Sequence, residues 1–175
     1  GLLGAGYILD AHVKALRAIP GIEAVAVCDR IRERAELAAR KHGIGKVTDT
    51  LDQLLSTDVG SVHVLLPPQF HEAAARKIMD AGRHAFLEKP MGLTSVGCQE
   101  LEDISRNRGV SLGVNHNFLF TAAWETLILD IRSGRLGPID TLIINWFFPL
   151  NLLRTGPFDN WMLSSPENLV FELFP

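Results

Sequence analysis

Little in this chain points toward a polyanion, a membrane or an oxidising compartment. Lys and Arg number 17 against 20 Asp and Glu, a net charge of −3, and no basic stripe interleaved with aromatics occurs. Nucleic-acid binding is therefore not expected. The longest apolar run, 141–153, is interrupted by Asn145, Pro149 and Asn151 and is too short to span a bilayer. With only two cysteines, Cys28 and Cys98, the chain has neither a metal-ligand spacing nor a disulfide framework, so no metal is expected. No signal-peptide pattern opens the sequence. The expectation is a reduced, cytoplasmic protein without a membrane partner. An initiator Met is also missing, only Gly1-Leu2-Leu3 precede the first glycine turn, and the last residues, 168–175, stop inside an apolar segment. The chain reads as a fragment.

What is present is a regular alternation. At 47% apolar content the chain can bury one good core and part of a second. Short, near-continuous apolar runs at 2–3, 24–28, 61–66, 84–87 and 110–114, with a small piece at 46–48, read as strands covered by helices on both faces. Helical patterns lie between them at 8–19, 31–42, 51–56, 70–81 and 94–107. Pro20-Gly21, Gly43, Gly82 and Gly109 punctuate their ends, and Thr94 or Ser95 offers a cap. This is the pattern of an α/β, doubly wound parallel sheet of Rossmann type. After Asn115 the texture changes to a helix at 121–133 and a long aromatic-rich strand at 139–148. The expected division is a dinucleotide-binding domain over 1–118. Residues 119–175 would begin a second α/β domain with an open, largely antiparallel sheet.

Two signals fall at the carboxyl ends of strands, where open parallel sheets bind ligands. The first is Gly4-Ala5-Gly6-Tyr7-Ile8-Leu9, with the first two glycines of the dinucleotide fingerprint and Leu9 where the third would stand. Gly4 allows the tight turn, Gly6 lets a pyrophosphate approach the backbone, and Tyr7 and Ile8 lead into the helix that would hold it. Asp29, closing the second strand, is placed to meet the adenine ribose; its plainer alternative is to cap the helix from Ile31. A carboxylate there favours NAD, while the adjoining Arg30 keeps NADP open. The second signal is Glu88-Lys89-Pro90 after the fifth strand. A lysine held beside an oxidised nicotinamide can take a proton from a substrate hydroxyl; a solvated lysine paired with Glu88 is the plainer reading. Leu66-Pro67-Pro68 would stiffen the chain where a flat ring could lie. His71 either touches the cofactor or is an ordinary surface histidine, and His12, His42, His63 and His84 are read as ordinary helix or strand residues.

Gly4-Ala5-Gly6, Asp29-Arg30, Pro67-Pro68-x-x-His71, Glu88-Lys89-Pro90 and Asn115-His116-Asn117-Phe118, in this order and spacing, resemble the Gfo/Idh/MocA oxidoreductase family. The resemblance implies hydride transfer between NAD(P) and a secondary alcohol of a sugar, cyclitol or related polyol, in a protein that is often a homo-oligomer. It implies Lys89 as the catalytic lysine, with Glu88 and Pro67-Pro68 flanking the nicotinamide half, Asn117 near cofactor or substrate, and a cis Lys89-Pro90 peptide. Many members carry an Asp followed four positions later by His in the second domain. Glu172 stands at the Asp place, and its partner would be residue 176, one past the end of this chain. Two rivals remain: a methyltransferase-like nucleotide enzyme, in which nothing calls for Glu-Lys-Pro, and a nucleotide-sensing protein that binds NAD(P) without turnover.

Overall fold

The computed structural model describes residues 1–143 and 145. Strands and helices alternate as β1 (Leu2–Leu3), α1 (Leu9–Arg17), β2 (Ala26–Cys28), α2 (Arg32–His42), β3 (Lys46–Thr48), α3 (Leu51–Leu55), β4 (Ser61–Val64), α4 (His71–Asp80), β5 (His84–Leu87), α5 (Ser95–Arg108), β6 (Leu112–Val114) and α6 (Ala122–Arg132). Short 3-10 turns occupy Pro68–Phe70 and Asn117–Phe120. The six strands form one sheet in the order β3-β2-β1-β4-β5-β6, every pairing parallel. Strand order reverses between β1 and β4, which opens a crevice at their carboxyl ends.

The local causes are those expected. Gly43 and Gly109 end α2 and α5 at φ +62° and +66°, a left-handed conformation that costs glycine little. Thr94 caps α5, its Oγ1 accepting from Gly97 N at 3.0 Å. Several expected strands are shorter than the apolar runs that marked them. Beyond β4, Leu65 N still donates to Leu3 O at 2.7 Å, but Pro67 and Pro68 have no N–H to continue the ladder.

Side-chain alternation sorts the sheet into two faces. Leu3, Ala26, Cys28, Val62, Val64, Ala85 and Leu87 point to one side and pack with Leu54, Ala75, Ile78, Met79 and Leu101 of α3, α4 and α5. Leu2 and Val27 point to the other and pack with Leu9, Val13, Ala35 and Ala39 of α1 and α2. Both cysteines are free thiols, and burial pushes the Cys28 thiol up.

The chain divides into two compact units, Gly1–Asn115 and His116–Pro175. In the second, α6 begins after Thr121 and is left through Gly134 at φ +73°. The long strand expected over 139–148 is not formed at 139–143, which pair with no strand among the described residues. A strand exists only through a neighbour's hydrogen bonds, and hydrophobic patterning alone does not supply one. Apart from 145, the rest of that segment lies outside the described residues, as does Glu172.

Candidate active site

The glycine turn leaves β1 and enters α1. Gly4 sits at φ +103°, and a Cβ there would lie 2.7 Å from Leu65 O, so both backbone and neighbour demand glycine. A Cβ on Gly6 would meet nothing within 4 Å, so the outer side of the turn is open. Ile8, the N-cap of α1, supplies no side-chain bond to the first helical turn. An uncapped helix start behind an open glycine is a fit for a pyrophosphate. Tyr7 is 79% exposed at the turn, and Leu9, in place of the third glycine, is buried against the α1–α2 face of the sheet.

Asp29 has two structural tasks. Its Oδ2 accepts from Ala5 N and its Oδ1 from Ile31 N, each at 2.8 Å. It therefore braces the glycine turn and also caps the start of the next segment, as the plainer alternative anticipated. Each carboxylate oxygen keeps a lone pair, so a ribose hydroxyl can still donate to it. Arg30, next to it, is exposed.

At the other side of the crevice, ladder bonding runs one residue past β5 and β6: Glu88 N donates to Val64 O at 3.1 Å and Asn115 N to Leu87 O at 2.8 Å. Lys89 follows, half-buried, and the Lys89-Pro90 peptide is cis. Leu66 and Pro67 are half-buried and Pro68 buried. His71 is not the ordinary surface histidine that one of its two readings expected. It is 0% exposed, with Nδ1 2.7 Å from Pro90 O and Nε2 2.7 Å from Leu66 O. Because α4 begins at His71 and packs under the sheet, its ring ties the proline segment to the lysine segment from below. It is not a surface residue.

Period-two alternation places His63, Phe86 and Glu88 on the α1 face, and the β5–β6 register brings Asn115 alongside Glu88. His12 reaches the same place from α1, 6% exposed. Its Nε2 lies 2.6 Å from Glu88 Oε1, and Asn115 Nδ2 donates to that same oxygen at 2.7 Å. His12 Nδ1 lies 2.9 Å from His63 Nδ1, and both rings stack edge-on or tilted around Phe86. Burial opposes ionisation of Glu88, but the bonds from His12 and Asn115 outweigh it and hold its carboxyl below the usual range. Burial, then the neighbouring His12, lowers His63 to about 4. Sequence reasoning read His12 and His63 as ordinary helix or strand residues and gave Asn115, though part of the resembling motif, no role of its own. The available signal was His12 on the inward stripe of α1, one residue before buried Val13; an inward-facing histidine needs a partner.

The model of the Gfo/Idh/MocA oxidoreductase family, an NAD-binding Rossmann fold, matches residues 1–116. The chain belongs to this family. Among Gfo/Idh/MocA relatives it is 32% identical over 171 residues to 1,5-anhydro-D-fructose reductase of Ensifer adhaerens, covering 95% of this chain and 49% of that protein. It is similar to the WlbA dehydrogenase of Bordetella pertussis, solved with NADH and UDP-GlcNAcA. The TM-score is 0.74 at 26% identity, over 78% of this chain and 42% of that one. The scyllo-inositol dehydrogenase of Lactobacillus casei, solved with NAD(H) and scyllo-inositol, shares the fold at TM-score 0.73 and 20% identity, over 79% and 42% of the two chains. The chain spans less than half the length of these proteins. The dinucleotide expected of the glycine turn is thus the NAD of an NAD-binding Rossmann family. Asn117 opens the 3-10 turn of the second unit with its side chain exposed.

Proposed function

We propose that this chain is the cofactor-binding portion of an NAD-dependent oxidoreductase that moves a hydride between the nicotinamide and a secondary alcohol of a sugar, cyclitol or related polyol. One observation carries the reading. The helix that leaves the glycine turn is hydrogen-bonded through His12 to Glu88, the residue before Lys89. A dinucleotide-type turn and a strand-end lysine therefore belong to one crevice. A 1,5-anhydro-D-fructose reductase and a dehydrogenase solved with NADH and UDP-GlcNAcA among the similar proteins support the substrate class.

In this reading Gly4 and Gly6 shape the turn, Tyr7 and Ile8 lead its N–H groups toward the pyrophosphate, and Asp29 with Arg30 meets the adenosine side. Leu66, Pro67 and Pro68 with Glu88 wall the nicotinamide half, and Asn117 lies near cofactor or substrate. NAD, when bound, supplies the ring carbon that gives or takes the hydride. Lys89 takes the hydroxyl proton in oxidation and returns it in reduction, a positioned acid–base step contributing about 10²- to 10⁴-fold. Glu172, in the role of the family's second-domain Asp, supports it. The Asp29 carboxylate disfavours a 2′-phosphate, so NAD is preferred to NADP. We assign 1–118 to the Rossmann domain and 119–175 to the start of a substrate and oligomerisation domain with an open, largely antiparallel sheet.

The test is calorimetric titration of the full-length protein with NAD and NADP, followed by a polyol panel read at the absorbance of reduced nicotinamide. Tighter NAD binding with polyol-dependent reduction is expected. Binding without reduction on the whole panel would favour a nucleotide sensor, and absence of binding would remove the cofactor assignment.

A further inference from the structure

We infer that His12 is a positioning residue for Lys89, acting through Glu88, with His63 setting the direction of its proton. This rests on the reading of Lys89 as the acid–base group. Glu88 as a carboxylate can only accept, so His12 Nε2 donates to it across 2.6 Å. Between the two Nδ1 atoms, 2.9 Å apart, only one proton fits. His63 either donates to a neutral His12 or accepts from a protonated one, and in both cases the Nε2–H of His12 stays on Glu88. Asn115 adds a second donor to the same oxygen, and the Lys89 backbone N–H also bonds the carboxylate. The carboxylate is thus a knot joining α1, β6 and the lysine's own peptide. Its helix, α1, is the one that leaves the glycine turn.

The knot is more than packing. An apolar residue at 12 would fill the space and leave Glu88 with one donor fewer in a site only 13% exposed. The carboxylate that anchors the Lys89 peptide would then be held by Asn115 alone among side chains, while the glycine turn, braced separately by Asp29, would keep its shape. The consequence belongs to the chemical step rather than to cofactor affinity.

The experiment compares wild type, His12→Leu, His12→Gln and His63→Phe in the full-length protein. Two readouts are used: steady-state kinetics with NAD and a polyol, and the rate at which acetyl-N-hydroxysuccinimide labels Lys89 in NAD-saturated protein, followed by peptide mass spectrometry with exposed Lys46 as internal control. His12→Leu is expected to lower kcat at least tenfold, with KM for NAD unchanged within twofold, and to change Lys89 labelling at least threefold while Lys46 is unaffected. His12→Gln, which keeps an N–H donor, should recover at least half of both effects. His63→Phe, which keeps a ring against Phe86, should fall between, and it carries the comparison if the leucine variant does not fold. Equal losses in the Leu and Gln variants, a loss confined to KM for NAD, or labelling indifferent to residue 12 would overturn the inference. If wild type binds NAD yet oxidises no polyol, an altered Lys89 labelling keeps the positioning role and discards hydride transfer; unaltered labelling discards both.

Discussion

The two faces of the sheet are built from the same strands and differ in what they bury. Toward α3, α4 and α5 the strands present Val62, Val64, Ala85 and Leu87, all apolar and almost fully buried. Toward α1 the intervening residues of β4 and β5 are His63 and Phe86, followed by Glu88 just past the strand. One face is scaffold. The other keeps a histidine pair, a carboxylate and an amide away from bulk water, an arrangement that needs every member to stabilise the rest.

Substitutions that separate the faces should separate their effects. The largest is Lys89→Ala, which should cut polyol oxidation about a thousandfold while leaving NAD affinity near wild type; calorimetry and steady-state rates on one preparation read both. On the apolar face, Leu101→Ala empties a fully buried position and should lower stability by about 3 kcal/mol in chemical denaturation, with kcat per folded molecule intact. A comparable loss of kcat there would erase the distinction between scaffold and support.

The polar face should instead show itself in pH dependence. His63 is a base held at about 4 in the fold against an ordinary 6.5, so unfolding takes up a proton between those values. Its contribution is whole above about pH 6.5 and lost as pH falls toward 4. Allowing for partial exposure, the loss is about 2 kcal/mol. Glu88, held below its usual value, loses its contribution as pH falls through its folded value, in the same direction. Denaturant melts of His63→Phe across this range should show a flatter slope than wild type. The smallest effect is Thr94→Ala, which removes the α5 cap for about 1 kcal/mol and should leave that pH slope unchanged.

How much of this was legible beforehand follows the same division. Apolar runs and glycine stops located every strand and helix of the first unit, because periodicity and caps are local properties. The turn at Gly4, the acid at Asp29 and the lysine at Lys89 were legible for the same reason: each sits where a strand ends. His12, His63 and Asn115 were not, since their meeting depends on the β4–β5–β6 register and on how α1 lies over it. The surface reading of His71 failed because position early in a helix does not show which way the ring turns; the carbonyls of Leu66 and Pro90 that hold it come from two other segments. The strand expected from residue 139 had the right composition but no neighbour among the described residues.

The central claim is that hydride passes between NAD and a carbinol carbon with Lys89 handling the proton. Its most direct test supplies the full-length protein with NAD and a polyol deuterated at its carbinol positions, and follows deuterium into the reduced nicotinamide by mass spectrometry, with Lys89→Ala in parallel. Deuterium in the wild-type NADH and almost none from the variant is the predicted result. NAD bound but carrying no label from any polyol, or equal labelling by wild type and variant, would contradict it.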